Sequence, residues 1–205
     1  MDLSEMADLE KYSEAEKLKN EAAKYLDAKD HKSALEKINE AIRVAPNYCA
    51  LYNSRGLIYM ETYDYQQALA DFNQAIEMMP SFPIFHLNRA ACHFILKEFK
   101  KALVGLDEAV KLAPGEPFYL LQRANLYAAL KRYDEAIIDC AAAIALNPQN
   151  QEAIRGLLSV NRQRVRNEIV LDLHFTRSRA AVFSRSRADG MTESLIVLPE
   201  KQTIN

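Results

Sequence analysis

The sequence predicts an all-α solenoid of four helix pairs with a C-terminal capping helix and a tail. Three observations predict it. Pro46, Pro80, Pro114 and Pro148 follow one another at intervals of 34 residues. Small residues keep the same interval in three sets: Ala22, Gly56, Ala90 and Ala124; Ala34, Ala68, Ala102 and Ala136; Ala41, Ala75, Ala109 and Ala143. Rings keep step with them at Tyr25, Tyr59, His93 and Tyr127, and again at His31, Tyr65, Phe99 and Tyr133. Self-similarity at such a period marks a stacked array in which each unit buries its apolar face against its neighbours.

The elements follow in order. Residues 1–12 form an N-terminal segment, after which Ser13 and Glu16 make a capping box for the first helix. Four units then occupy residues 13–148, phased as 15–48, 49–82, 83–116 and 117–150. Within each, apolar residues recur at three and four positions, as in Ala34, Leu35, Ile38, Ala41 and Ile42, which is the period of a helix. The small residues mark where two helices cross closely, and the rings fill the wedges beside each crossing. Each closing proline ends a second helix, because proline cannot continue the backbone ladder and restricts the residue before it. Pro83 and Pro117 suit the first turn of the next helix.

An open solenoid end needs a polar-faced cap. Residues 151–175 supply it, with Ala153, Ile154, Leu157, Leu158 and Val165 as the apolar stripe and Arg155, Arg162, Arg164 and Arg166 outside. An alternative takes 169–175 and 195–198 as two short strands. The tail, 176–205, interleaves Arg177, Arg179, Arg185 and Arg187 with serine, and that mixture buries too little surface to fold alone. Three readings are open for these arginines: a solvated, disordered tail, neutralisation of phosphate on a nucleic acid, or a partner contact reversed by serine phosphorylation. No aromatic stacking platform accompanies them, which disfavours nucleic acid.

Composition agrees with a soluble globular chain, at 49% hydrophobic and 26% charged residues. Five glycines and seven prolines are too few for a loop-rich β fold. No apolar run is long enough to span a bilayer, and the N-terminus lacks a signal-peptide core. Three widely spaced cysteines, Cys49, Cys92 and Cys140, suit a reducing compartment, so a cytoplasmic protein is expected. The net charge of −2 is unevenly spread: residues 1–150 are acidic on balance and 151–187 basic.

The repeated pattern resembles the tetratricopeptide repeat (TPR), whose signature is a large residue, Leu-Gly, Tyr, Ala-x-x-x-Phe and a closing Pro. The second unit reads Tyr52, Arg55-Gly56, Tyr59, Ala68, Phe72, Pro80, and the fourth Leu120, Arg123-Ala124, Tyr127, Ala136, Cys140, Pro148. The first and third are looser but complete. The resemblance covers about residues 15–148 and implies a right-handed superhelix whose first helices line a concave groove. By repeat phase the groove takes Lys19 from unit 1 and Asn53 and Leu57 from unit 2. Unit 3 brings Ile84, Leu87, Asn88 and Phe94, and unit 4 brings Phe118, Leu121, Gln122 and Asn125. An apolar strip punctuated by amides suits an extended peptide or a partner helix.

Some members of the family grip a chaperone's C-terminal carboxylate with a clamp of lysines, asparagines and an arginine. Lys19 fits that clamp, but its other four positions carry Ala23, Ser54, Ile84 and Asn88. Asn20 and Asn53 stand one residue off, turned by about 100° around the helix. A chaperone-tail adaptor is therefore disfavoured. Arg55, Arg89 and Arg123 recur at one repeat position and could form an acid-binding ladder, although stems over the helix seam with heads paired to nearby acids explain them better. His86, Cys92 and His93 share a helix, but the two histidines are too far apart along it for one ion. No phosphate loop, nucleophile elbow or carboxylate pair is present.

These readings predict a non-enzymatic scaffold or adaptor without cofactor or metal, binding another protein through its groove and holding the tail arginines as a second contact. A fixed structural subunit of a larger complex is the alternative. A nucleic-acid-associated adaptor is a weaker one.

Overall fold

The computed structural model describes residues 3–188, with side chains for residues 8–170. Every element among them is helical: α1 (Leu3–Asp27), α2 (His31–Val44), α3 (Cys49–Glu61), α4 (Tyr65–Met78), α5 (Pro83–Ile95), α6 (Phe99–Leu112), α7 (Pro117–Ala129), α8 (Tyr133–Leu146) and α9 (Gln151–Ala188). The chain divides into two units, Met1–Asn161 and Arg162–Asn205. The first holds α1–α8 and the opening turns of α9. In it the helices pack as the pairs α1·α2, α3·α4, α5·α6 and α7·α8, and each pair stacks on the next. Of the second, the description covers helix up to Ala188, so 169–175 is helical rather than a strand, and 195–198 lie outside the described residues.

The crossings explain the periodic small residues. Ala34, Ala68, Ala102 and Ala136 are fully buried, as are Ala41, Ala75, Ala109 and Ala143. Where the third small position is Gly56, a Cβ would stand 2.6 Å from the Phe72 ring. The two positions trade volume. Phe72 stands where the other units carry Ile38, Leu106 and Cys140, and only the unit with the largest side chain there has glycine opposite. Proteins keep interiors near close packing, so the bulk that one helix adds the other must give up.

The chain turns by two repeated devices. Ala45, Met79, Ala113 and Asn147, each just before its closing proline, cap the second helices with a backbone N–H to the carbonyls of Ala41, Ala75, Ala109 and Ala143. Pro83 and Pro117 open α5 and α7. Each first helix ends instead in a left-handed residue: Lys29, Tyr63, Lys97 and Lys131, with φ of 61°, 66°, 59° and 60°. The bonds Asp30 N–H to Tyr25 O, Asp64 to Tyr59, Glu98 to His93 and Arg132 to Tyr127 close the six-residue loop of a Schellman cap. Nothing in these lysines and the tyrosine announces such a cap, which usually carries glycine.

Two expectations are corrected. Ser13 is no cap: α1 begins ten residues earlier, because Tyr12 continues the apolar spacing of Ala15, Leu18 and Ala22 and sets its ring edge-on against Tyr48 at 5.5 Å. In α9, Ala153, Leu157 and Val160 make the packed stripe, whereas Leu158 and Val165 are exposed. Leu158 lies about 100° around the helix from Leu157 and so points away from that stripe.

Replacing Lys97 by glycine should relieve the left-handed strain and stabilise the chain by about 0.5–1 kcal/mol, read as a higher melting temperature. Gly56→Ala should cost about 1–3 kcal/mol in chemical denaturation, since the buried Phe72 ring has nowhere to move.

Candidate protein-binding surface

The groove candidates lie on first helices that pack side by side, α1 on α3 and α3 on α5. At one end Lys19 is already engaged. Its Nζ stands 2.6 Å from Glu16, whose other oxygen accepts the Tyr48 hydroxyl at 2.8 Å. The Lys19 bond, with that of Tyr48, holds the Glu16 carboxyl below its ordinary range against the opposing effect of burial. Further along, Asn88 Nδ2 donates to Asn53 Oδ1 at 2.8 Å, tying α5 to α3. The pair leaves one amide NH2 and one amide carbonyl, on adjacent helices, without a partner among the described residues. One donor and one acceptor side by side match the N–H and C=O of an extended backbone.

The apolar candidates divide. Leu57, Phe94 and Phe118 are about 40% exposed. Ile84 and Leu87 are half-buried, the first against Cys49, Ala75 and Phe85, the second against Ala90, Ala102 and Leu106. Leu121, expected on the groove wall, is 4% exposed and belongs to the core with Leu120, Ala124 and Ala136. Gln122 is half-buried and Asn125 exposed. Arg177, Arg179, Arg185 and Arg187 lie in α9, and their side chains fall outside the described residues.

The arginine row is internal in two units of three. Arg55 Nε and Nη2 reach both oxygens of Asp71 at 2.8 and 2.7 Å, and Nη1 reaches Asn39 at 2.8 Å. Arg123 repeats this on Asp139, with Nη1 on Asp107, all at 2.8 Å. Those bonds to carboxylates push both guanidinium pKa values up, outweighing burial. Asp71 and Asp139 are themselves buried and depend on these arginines for compensation. Arg89 differs: its Nη1 reaches Asn73 at 3.0 Å, but Gly105 stands where units 2 and 4 have aspartate.

Comparison with known proteins agrees with this geometry. Residues 117–150 and 53–117 match two family models, each described as tetratricopeptide repeat. The chain belongs to the tetratricopeptide repeat family. Residues 5–48 of this TPR chain also match the model of anaphase-promoting complex subunit 5. None of the curated proteins compared matches the sequence. Among solved structures, a TPR protein of the thermophile Thermus thermophilus superposes with a TM-score of 0.64 at 25% identity, covering 71% of this chain and 80% of that one. The first TPR of Spaghetti (RPAP3), bound to the HSP90 peptide SRMEEVD, gives 0.51 at 25%, covering 56% and 90%. The first TPR domain of human RPAP3 gives 0.54 at 25%, covering 60% and 98%. The fold is thus the all-α TPR superhelix, the architecture of protein-interaction scaffolds.

Within the TPR units the residues that suggested chemistry are structural. His86 Nε2 donates to the Pro80 carbonyl at 2.7 Å, the role Tyr52 plays for Pro46 one repeat earlier. His93 bonds Glu98 through Nδ1 at 2.6 Å. Cys92 is fully buried, and that burial pushes its thiol up to about 11, leaving little thiolate at neutral pH. No metal-binding cluster occurs among the described residues, and no described helix is long and apolar enough to cross a membrane.

Arg123→Met should cost about 2–4 kcal/mol, because it strands Asp139 as a buried carboxylate without its partner. Arg89→Met strands no acid and should cost less than about 1 kcal/mol. Urea denaturation of the two variants beside the unsubstituted chain measures the difference.

Proposed function

We propose that this TPR chain is a non-enzymatic adaptor whose first-helix face takes up a partner peptide or helix. The observation that carries the reading is the Asn53–Asn88 pair with its spare donor and acceptor, on helices that also expose Leu57 and Phe94. Amides that bond a peptide backbone beside apolar side chains that accept its side groups are the working parts of an extended-peptide groove. The peptide-bound state of the Spaghetti (RPAP3) domain supports the same use of this fold. Lys19 contributes less than its repeat position suggests, since Glu16 already neutralises it. The tail arginines at 177, 179, 185 and 187 form a second, electrostatic contact in this proposal.

Peptides selected from a display library against the full chain test the reading. A chain carrying Leu57→Ser, Phe94→Ser and Phe118→Ser should bind the selected peptides at least about tenfold more weakly while keeping its helical content. Unchanged affinity would sink the groove. Leu121→Glu is unsuited to the purpose, because a buried charge would unfold unit 4 instead. Ending the chain after Asn167 should leave peptide affinity intact and remove whatever binding the tail contributes.

A second reading, a fixed subunit of a larger complex, draws on the match of residues 5–48 to anaphase-promoting complex subunit 5. It predicts that the native protein migrates wholly in a high-mass assembly resistant to salt. An adaptor would show a free pool.

A further inference from the structure

The third unit breaks the arginine pattern in a way that leaves a site. Arg89 keeps the register of its counterparts, because Nη1 meets Asn73 just as Arg55 meets Asn39 and Arg123 meets Asp107. The edge bearing Nε and Nη2, which Asp71 and Asp139 occupy in the neighbouring units, meets no carboxylate among the described residues. No side chain of α6 can supply one from the equivalent place. A Cβ on Gly105 would stand 2.9 Å from the Ala90 Cβ and 3.0 Å from the His86 carbonyl oxygen, so the backbones close over that slot.

Beside the arginine is a cavity of about 330 Å3 lined by Arg89, His93, Lys100, Lys101 and Val104. The repeat makes its charge unusual. The places of Lys100 and Lys101 hold Gln66 and Gln67 in unit 2, and Asp134 and Glu135 in unit 4. Unit 3 is therefore basic where unit 4 is acidic. One acid stands at the rim: Glu98 bonds His93 at 2.6 Å and Lys101 at 3.1 Å. It leaves the Arg89 fork and Lys100 without an anion among the described residues. Burial without an acid also draws the Arg89 guanidinium below its ordinary range, the reverse of Arg55 and Arg123.

We propose that this seam pocket of unit 3 receives a carboxylate from an acidic segment of a partner protein, seated on the Nε–Nη2 edge of Arg89 with Lys100 and Lys101 beside it. The two flanking units supply the template, since each shows that edge closed by a bidentate carboxylate. A planar guanidinium fork matches a carboxylate in just this way. The site is separate from the first-helix groove, whose third-unit positions are Ile84, Leu87, Asn88 and Phe94, so it stands or falls without the groove.

The test is fluorescence anisotropy of the full chain with labelled hexaglutamate, with a neutral peptide carrying one phosphoserine and inorganic phosphate as further arms. Arg89→Gln should weaken hexaglutamate binding by about tenfold or more, the scale of a lost charge-assisted fork. Lys24→Gln makes the same charge change on a distant exposed lysine and should leave affinity unchanged. The exposed pair Lys100→Gln with Lys101→Gln should weaken binding severalfold, which keeps the test open should Arg89→Gln misfold. Absence of hexaglutamate binding, or equal losses for Arg89→Gln and Lys24→Gln, would overturn the site. Binding of the phosphoserine peptide or phosphate in preference to hexaglutamate would overturn the carboxylate assignment.

Discussion

Close approach of two short helices within each pair is the constraint on which the structure depends. It works only where side chains are absent or minimal at the crossing, and alanine or glycine stands there in every unit. The stability of each pair therefore comes from near-complete burial of small groups, with larger groups such as Ile38, Phe72 and Leu106 placed to fill what remains. Because both helices are short and two-sided, the pair also leaves one face uncovered, which the next pair must bury. Stacking follows from that need, and the alignment of first helices follows from stacking.

The same crossing governs the polar layer at the seam. Arg55 and Arg123 lie over it, with stems covering apolar surface and forks closed by an aspartate sixteen residues on. At the third pair the backbones approach so closely that residue 105 has no room for a side chain. Tight packing there removes the acid and leaves the cation. A repeat protein gains distinct binding surfaces in this way: a uniform scaffold is varied at one unit, and the variation is chemical because the backbone register is unchanged.

Much of this was legible in the sequence. Prolines, alanines and rings at one interval locate eight helices and their crossings, because steric and helix-ending rules act locally. The left-handed residues at Lys29, Tyr63, Lys97 and Lys131 were not legible, since tertiary packing imposes a conformation that these side chains do not prefer. Ser13 misled because a sound capping pair can equally sit inside a helix when the residues before it also pack. Leu121 shows the limit of repeat phase: its counterpart Leu87 is half-buried, whereas Leu121 packs into the core with Leu120, Ala124 and Ala136. The exception at Arg89 was readable, though the signal was subtle. Arginine pairs with aspartate at a separation of sixteen in units 2 and 4, and glycine interrupts the pattern at 105.

In the proposed adaptor a partner lies along the first helices, against the amides of Asn53 and Asn88. Hydrogen exchange of the full chain, with and without a bound peptide ligand, tests it most directly. Added protection is expected to concentrate in α3, α5 and α7. Protection confined to α4, α6 and α8, or to α9, would contradict it.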